Sequence, residues 1–117
     1  MEITAEQFEA LVVAALDSIP DGLARRMENV AVIIEDDSRW GGLLGLYEGI
    51  PLTERAAGYG EFGNIPVPDR ITIYRKPIVA MCADEAEVVH QVRVTVVHEV
   101  AHHFGIDDDR LDDLGWA

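Results

Sequence analysis

The feature that most constrains the fold is one long helical segment, residues 84–104, whose last turns carry two histidines spaced four residues apart and a glutamate after the first of them. Asp84 followed by Glu87 is typical of a helix start, because acidic side chains there accept from free backbone N–H groups. Gly105 is typical of a helix end, since it tolerates a left-handed backbone. Between these signals an apolar face recurs at helical spacing. That face comprises Val88, Val89, Val92, Val96 and Val100. We therefore expect a single, mostly buried helix.

His98 and His102 lie one helical turn apart, and Glu99 directly follows the first of them. Each helical residue advances by about 100°, so the two imidazoles share a face and can bind one zinc ion. Glu99 is rotated to one side, where its carboxylate can reach a water at the metal and act as general base. The alternative is a pair of core histidines, with Glu99 paired to His103 across one turn. The H-E-x-x-H pattern favours the zinc site.

A third metal ligand is expected beyond His102, because catalytic zinc usually takes three protein ligands and a water. Gly105 lets the backbone turn, and Asp108 can then return toward the metal as an oxygen ligand. In the competing interpretation the three consecutive aspartates at residues 107–109 cap a short final helix. Other acidic residues of this stretch are alternative ligands: Asp107, Asp109 and Asp112. His103 points about 100° away from His102, so we expect it at the surface or supporting the ligands.

The rest of the chain predicts an N-terminal helix and a small sheet. Thr4 and Gln7 form a capping-box pattern ahead of an apolar stripe that stops at residue 20. Residues 30–34 are apolar throughout, as in a strand buried on both faces. Residues 43–47 are a weaker strand candidate. Residues 70–75 alternate polar and apolar, as in a half-buried strand of the kind found at a sheet edge, and Pro77 ends them.

Residues 52–69 follow no period and contain several glycines and prolines. A stretch of this length predicts a lid or cleft wall, or equally a mobile connection. Three tyrosines are candidates for a hydrogen bond to a reacting group, although packing is the simpler role: Tyr47, Tyr59 and Tyr74. The single cysteine, Cys82, is expected to be a small buried residue and not a nucleophile.

Composition predicts one soluble domain over residues 1–117. The net charge of −13, from 22 acidic and nine basic residues, argues against binding nucleic acid. A lone cysteine fits a reducing compartment, and the first residues lack a signal-peptide pattern. No apolar run approaches the roughly 20 residues that a membrane span needs. We expect a cytoplasmic protein, and oligomeric state stays open.

The extended motif H-E-x-x-H-x-x-G-x-x-D resembles the snapalysin-type variant of the zincins, and the chain is similar to the minimal zincin-like metallopeptidases of bacteria. The similar stretches are NVAV at residues 29–32, LLGLYEGIPLTER at 43–55, PDRITIY at 68–74 and the segment 94–116. The resemblance implies an α+β fold: a small mixed sheet packed on a long active-site helix, with an N-terminal helix and a short C-terminal helix. It also implies His98, His102 and Asp108 as zinc ligands and Glu99 as catalytic base.

The main functional hypothesis is a zinc-dependent peptidase acting on a peptide or protein substrate of unknown sequence. One alternative is a zinc-binding interaction module with little or no catalysis. A less favoured alternative is a metal-dependent endoribonuclease, since His98, His102 and Asp108 keep the ligand spacing of such enzymes. The glutamate after the first histidine and the acidic charge argue against that last activity.

Overall fold

The computed structural model describes residues 1–24, 27, 30–39, 41–49 and 69–106. In chain order the elements are α1 (Ala5–Asp17), α2 (Asp21–Ala24), β1 (Val30–Glu35), β2 (Gly45–Glu48), β3 (Asp69–Tyr74), α3 (Arg75–Ala80) and α4 (Glu85–His103). The predicted α+β fold, with a small mixed sheet against one long helix, is confirmed. The predicted C-terminal helix and the stretch 52–68 lie outside the described residues.

The sheet has the order β1-β3-β2, with β3 in the centre. β1 pairs with β3 in parallel and β2 pairs with it antiparallel. The suggestion that residues 70–75 lie at a sheet edge is therefore wrong, and Ile71 and Ile73 of β3 are almost fully buried. β1 occupies an edge instead, and its apolar side chains are only partly buried. Its short apolar run indicated a strand, but run length alone does not determine strand order.

The hydrophobic core lies between the sheet and the two longer helices. The capping box predicted for α1 is present, since Gln7 N–H donates to Thr4 Oγ1 at 3.1 Å and Thr4 N–H donates to Gln7 Oε1 at 2.9 Å. α1 packs on α4, which in turn contacts β2 and β3. The buried core residues are Ile3, Phe8, Val12, Ala15, Ile19, Ile71, Ile73, Ile78, Val88, Val92, Val96 and Val100.

The predicted helix at residues 84–104 is confirmed at both ends. The Asp84 carboxylate accepts from Glu87 N–H at 2.9 Å, and the chain leaves the helix through Gly105 with φ of 74°. The valine-rich sequence has low intrinsic helix propensity, but burial of its apolar face compensates for this. Val89 is an exception to the predicted face, because half of its surface is exposed.

Sequence reasoning missed α3, which begins directly after β3. Pro77 is the third residue of that helix and does not break it, because N–H groups in a first turn have no intrahelical partner. Arg75 fixes the start of α3, as its guanidinium donates to the Ile3 carbonyl at 2.8 Å and pairs with Asp36 at 2.9 Å. Among the described helices, none is both long and apolar enough to traverse a bilayer.

Candidate metal centre

Three side chains of α4 converge near its C-terminal end. His98, Glu99 and His102 each offer a ligand atom, and these atoms lie within 4.8 Å of one another. The two imidazole rings meet edge to face, with centroids 4.6 Å apart. The i, i+4 spacing produces this geometry, because a helix returns to nearly the same direction after one turn. The structure therefore brings together the three residues of the predicted motif that lie within α4.

Glu99 is buried, whereas His102 is partly open to solvent. The Glu99 carboxylate lies 3.3 Å from Nδ1 of His102. Its side chain is 8% exposed, compared with 39% for that of the histidine. A neutral His102 protonated at Nδ1 would donate to Glu99 and keep the lone pair of Nε2 available for a metal. Glu99 therefore pairs with His102, and not with His103 as the competing interpretation had it.

Glu99 packs closely against the backbone of β2. A Cβ added at Gly45 would lie 3.0 Å from Cγ and 3.1 Å from Oε2 of Glu99, and 2.9 Å from Thr95 Cγ2. Such distances are shorter than ordinary van der Waals contacts. A glycine in a strand is often the mark of a close approach by another group. Here the absence of a side chain leaves the space that the Glu99 carboxylate occupies.

His103, the residue after His102, faces the protein interior. It is fully buried, and its Nδ1 lies 2.7 Å from Oδ2 of Asp69 at the start of β3. The same Asp69 oxygen accepts from the Tyr47 hydroxyl of β2 at 2.7 Å. We expected His103 either at the surface or in support of the metal ligands, and the expectation of a surface position is wrong. We refer to these three residues as the Tyr47–Asp69–His103 cluster.

Sequence reasoning did not assign any role to Asp69. Its partners are 22 and 34 residues away along the chain, so no local spacing indicates the contact. The available signal was a lone acidic residue at the start of an apolar strand. Tyr47 was a candidate for a hydrogen bond to a reacting group, and its hydroxyl donates instead to Asp69.

The predicted third ligand lies outside the described residues. Asp108 follows Ile106, where the description of this end of the chain stops. The same holds for the alternative ligands Asp107, Asp109 and Asp112, and for Tyr59. The choice among these aspartates therefore stays a prediction.

The donor set of the site fits zinc. The imidazoles of His98 and His102 are groups that zinc binds in proteins, and the Glu99 carboxylate lies close enough to both to reach a water on the same ion. They are also the one such group of histidine, cysteine and acidic side chains found within the described ranges. The chemistry of the site is thus compatible with the metal that the motif predicts.

The remaining predicted candidates have other surroundings. Burial, together with the nearby carboxylates of Glu87 and Asp84, raises the pKa of the Cys82 thiol. This favours the neutral, unreactive form, in line with the prediction that Cys82 is not a nucleophile. Tyr74 is buried in β3, and its pKa is raised mainly by that burial.

Comparison with known proteins agrees with the site. The model of the zincin-like metallopeptidase family matches residues 27–116. Among solved structures, the chain is similar to a conserved hypothetical protein from T. thermophilus, with 22% identity, a TM-score of 0.53 and coverage of 96% of this chain and 97% of the other. That likeness concerns the fold alone. No curated protein matches the chain. The family match spans most of the sequence and includes all of α4, so the chain belongs to the zincin-like metallopeptidase family.

Proposed function

We propose that the chain is a zinc-dependent peptidase in which His98 and His102 hold the metal and Glu99 is the general base. The observation that carries the proposal is the convergence of these three side chains within 4.8 Å on one face of a helix. Membership of the zincin-like metallopeptidase family supports it. Asp108 is proposed as the third ligand on the strength of its position in the motif.

Zinc bound at this site would polarise the carbonyl of a peptide bond and increase the acidity of a nearby water. Glu99 accepts the proton of the water as its oxygen attacks the carbonyl carbon. Glu99 then delivers that proton to the amide nitrogen as the carbon–nitrogen bond breaks, so the products are a carboxylic acid and an amine. Its burial against β2 restricts the carboxylate to few orientations, which favours this transfer.

β2 is the proposed place for the peptide substrate. In the described sheet β2 is an outer strand, bonded on one side to β3. An extended peptide can add to such an edge through backbone hydrogen bonds. Because Gly45 of β2 lies against Glu99, a peptide on that edge would run close to the general base. The other outer strand, β1, is separated from β2 by β3.

The experiment is hydrolysis of a diverse peptide library by the zinc-loaded chain, read by mass spectrometry of new termini. The matched variant is Glu99→Gln, which keeps the shape of the side chain but cannot accept the proton. We expect cleavage by the wild-type chain and a loss of about 10²- to 10⁴-fold in the variant, with zinc still bound. Equal cleavage by zinc-loaded Glu99→Gln would contradict the assigned role. Tight zinc binding without any hydrolysis by the wild-type chain would favour the interaction module instead.

A further inference from the structure

We propose that Asp69 is a positioning residue for the metal site, acting through His103 to fix the last turn of α4 and with it His102. The proposal rests on the proposed function, since it assigns His102 as a ligand. The proposal makes the metal site depend on three further residues. They are the buried carboxylate of Asp69 on β3 and its two partners, Tyr47 and His103. None of the three residues of the Tyr47–Asp69–His103 cluster is itself assigned to the metal.

The contacts of Asp69 connect three elements at one oxygen atom. Its Oδ2 lies 2.7 Å from Nδ1 of His103 at the end of α4 and accepts from the Tyr47 hydroxyl of β2 at 2.7 Å. The Tyr47 and His103 rings also meet edge to face, with centroids 6.0 Å apart. The cluster therefore ties the end of α4 to β2 and β3 at the same point.

The Asp69 side chain is closely packed by the chain around it. Asp69 is 2% exposed, and a Cβ added at Gly49 would lie 2.6 Å from its Cγ and Oδ1. Such a contact is impossible without displacement of one of the two segments, so Gly49 must lack a side chain. Asp69 and the glycine after β2 thus fit each other. A small apolar residue at position 69 would fill less space and accept no hydrogen bond.

His103 is placed for polar contact more than for packing. The residue is fully buried, and its Nε2 has no hydrogen-bond partner among the described residues. An apolar residue at position 103 would avoid leaving a buried polar atom unpaired. The bond from Nδ1 to Asp69 is what an apolar residue would lose. The bond to Asp69 thus offsets part of the free-energy cost of burying an imidazole at position 103.

The role of the Asp69–His103 contact follows from the position of His103 in the chain. It is the last residue of α4 and is bonded through the backbone to His102. The backbone of this last turn is capped, since the carbonyls of Ala101 and His102 accept from the N–H groups of Ile106 and Gly105, but these bonds do not connect the turn to the sheet. The side chain of His102 is 39% exposed, so packing alone holds it weakly. Anchoring the neighbouring residue to the sheet restricts the backbone that carries the proposed ligand.

The first experiment measures zinc affinity by competition with a chromophoric chelator. Asp69→Ala removes the acceptor, Asp69→Asn keeps one oxygen acceptor in the same shape, and Tyr47→Phe removes one donor. Tyr74→Phe is the matched control, because it deletes a hydroxyl from another tyrosine of the sheet, which is buried in β3. We expect Asp69→Ala to weaken zinc binding by about 10- to 100-fold. Asp69→Asn and Tyr47→Phe should lose less, and Tyr74→Phe should bind zinc as the wild type does.

His103 offers a second pair of variants. Asn places its amide nitrogen near the position of Nδ1 and can still donate to Asp69, whereas Gln extends toward the position of Nε2. His103→Asn should therefore retain zinc affinity better than His103→Gln. Equal losses in both variants, or zinc affinity in Asp69→Ala equal to that of the wild type, would overturn the proposal.

The second experiment uses the metal-free chain and does not depend on catalysis. Amide hydrogen exchange is compared between His102–Phe104 and Val92–Val96 of the same helix. In Tyr47→Phe and Asp69→Ala, we expect faster exchange in the first group and unchanged rates in the second. A uniform increase along α4 would indicate a role in global stability alone and would overturn the proposal. If the wild-type chain binds zinc but cleaves no peptide, the peptidase proposal fails while these two readouts still decide on Asp69.

Discussion

Gly45 and Glu99 approach so closely that a Cβ at residue 45 would stand 3.1 Å from the carboxylate oxygen Oε2. A glycine usually weakens a strand, because it has no side chain to pack and loses more conformational entropy on folding. In β2 the glycine that weakens the strand lies where the side chain of Glu99, the proposed general base, contacts the sheet. The backbone of β2 acts as one wall of the space that holds Glu99.

We predict that Gly45→Ala impairs catalysis more than zinc binding. The added methyl group would press on Glu99 and Thr95, which would move the carboxylate. Loss of part of the general-base contribution should lower kcat by about 10- to 100-fold. Zinc affinity, measured by chelator competition, should change much less than kcat.

Gly41→Ala is the control for Gly45→Ala. Within the described residues, a Cβ at residue 41 would meet no other atom within 4 Å, although φ of 72° makes a side chain there strained. We expect a stability loss of about 1–2 kcal/mol in this variant, seen by denaturant unfolding, with normal kcat for the folded fraction. Equal effects of the two substitutions on kcat would contradict the role assigned to Gly45.

A second prediction separates the two proposed ligands from another histidine of α4. His98→Ala and His102→Ala should each abolish stoichiometric zinc binding, because one imidazole and a carboxylate make a weak site. His90 lies two turns upstream and is exposed, so His90→Ala should bind zinc normally. Isothermal titration with zinc measures all three variants. Zinc loss in His90→Ala, or its retention in the other two, would count against the site.

The third prediction concerns alkaline stability and Tyr74. Burial raises the pKa of Tyr74 from 10.0, and the nearby carboxylates of Glu35 and Glu48 raise it further, against an opposing effect of Arg70. Above about pH 10 the unfolded chain would lose this proton before the folded chain does. The contribution of Tyr74 to stability is therefore complete below about pH 10 and decreases as pH rises toward its folded pKa.

Denaturant unfolding of the wild type and of Tyr74→Phe between about pH 8 and about pH 11 tests this effect. The wild type should lose more stability than the variant above about pH 10, because the variant has no phenol to ionise at this position. Parallel pH profiles for the two chains would mean that Tyr74 ionises at the same pH in both states.

The fourth prediction concerns Cys82. Its thiol pKa is raised by burial and by two carboxylates, so little thiolate is present at neutral pH. Alkylation by iodoacetamide at neutral pH should be slower than that of the same cysteine in the urea-unfolded chain. Mass spectrometry over time measures both rates. Alkylation as fast in the folded as in the unfolded chain would contradict the raised thiol pKa of Cys82 in the folded state.

The central helix could be predicted from sequence because its signals are local. Asp84, Gly105 and the valine spacing define the ends and the buried face of α4 within one continuous segment. The i, i+4 histidines needed only helix geometry to be placed together. Val89 departs from the predicted face because exposure depends on where neighbouring elements end, which the segment itself does not encode.

Features that join distant segments could not be predicted in the same way. The central position of β3 depends on pairing with β1 and β2. Its alternating pattern was compatible with an edge position as well as with the central one. The Tyr47–Asp69–His103 cluster brings together residues from three elements. Single-sequence periodicity carries no information on such contacts. α3 was missed because Pro77 is compatible both with a strand end and with a helix first turn.

The most direct test of the central claim is a crystal structure of the zinc-loaded chain, with anomalous diffraction recorded on both sides of the zinc absorption edge. We expect one zinc peak at about 2.0–2.1 Å from an imidazole nitrogen of His98 and of His102, with Asp108 as the third ligand and a position left for water. Glu99 should lie near the metal without binding it. A zinc peak away from His98 and His102, or a site closed by a fourth protein ligand, would contradict the account.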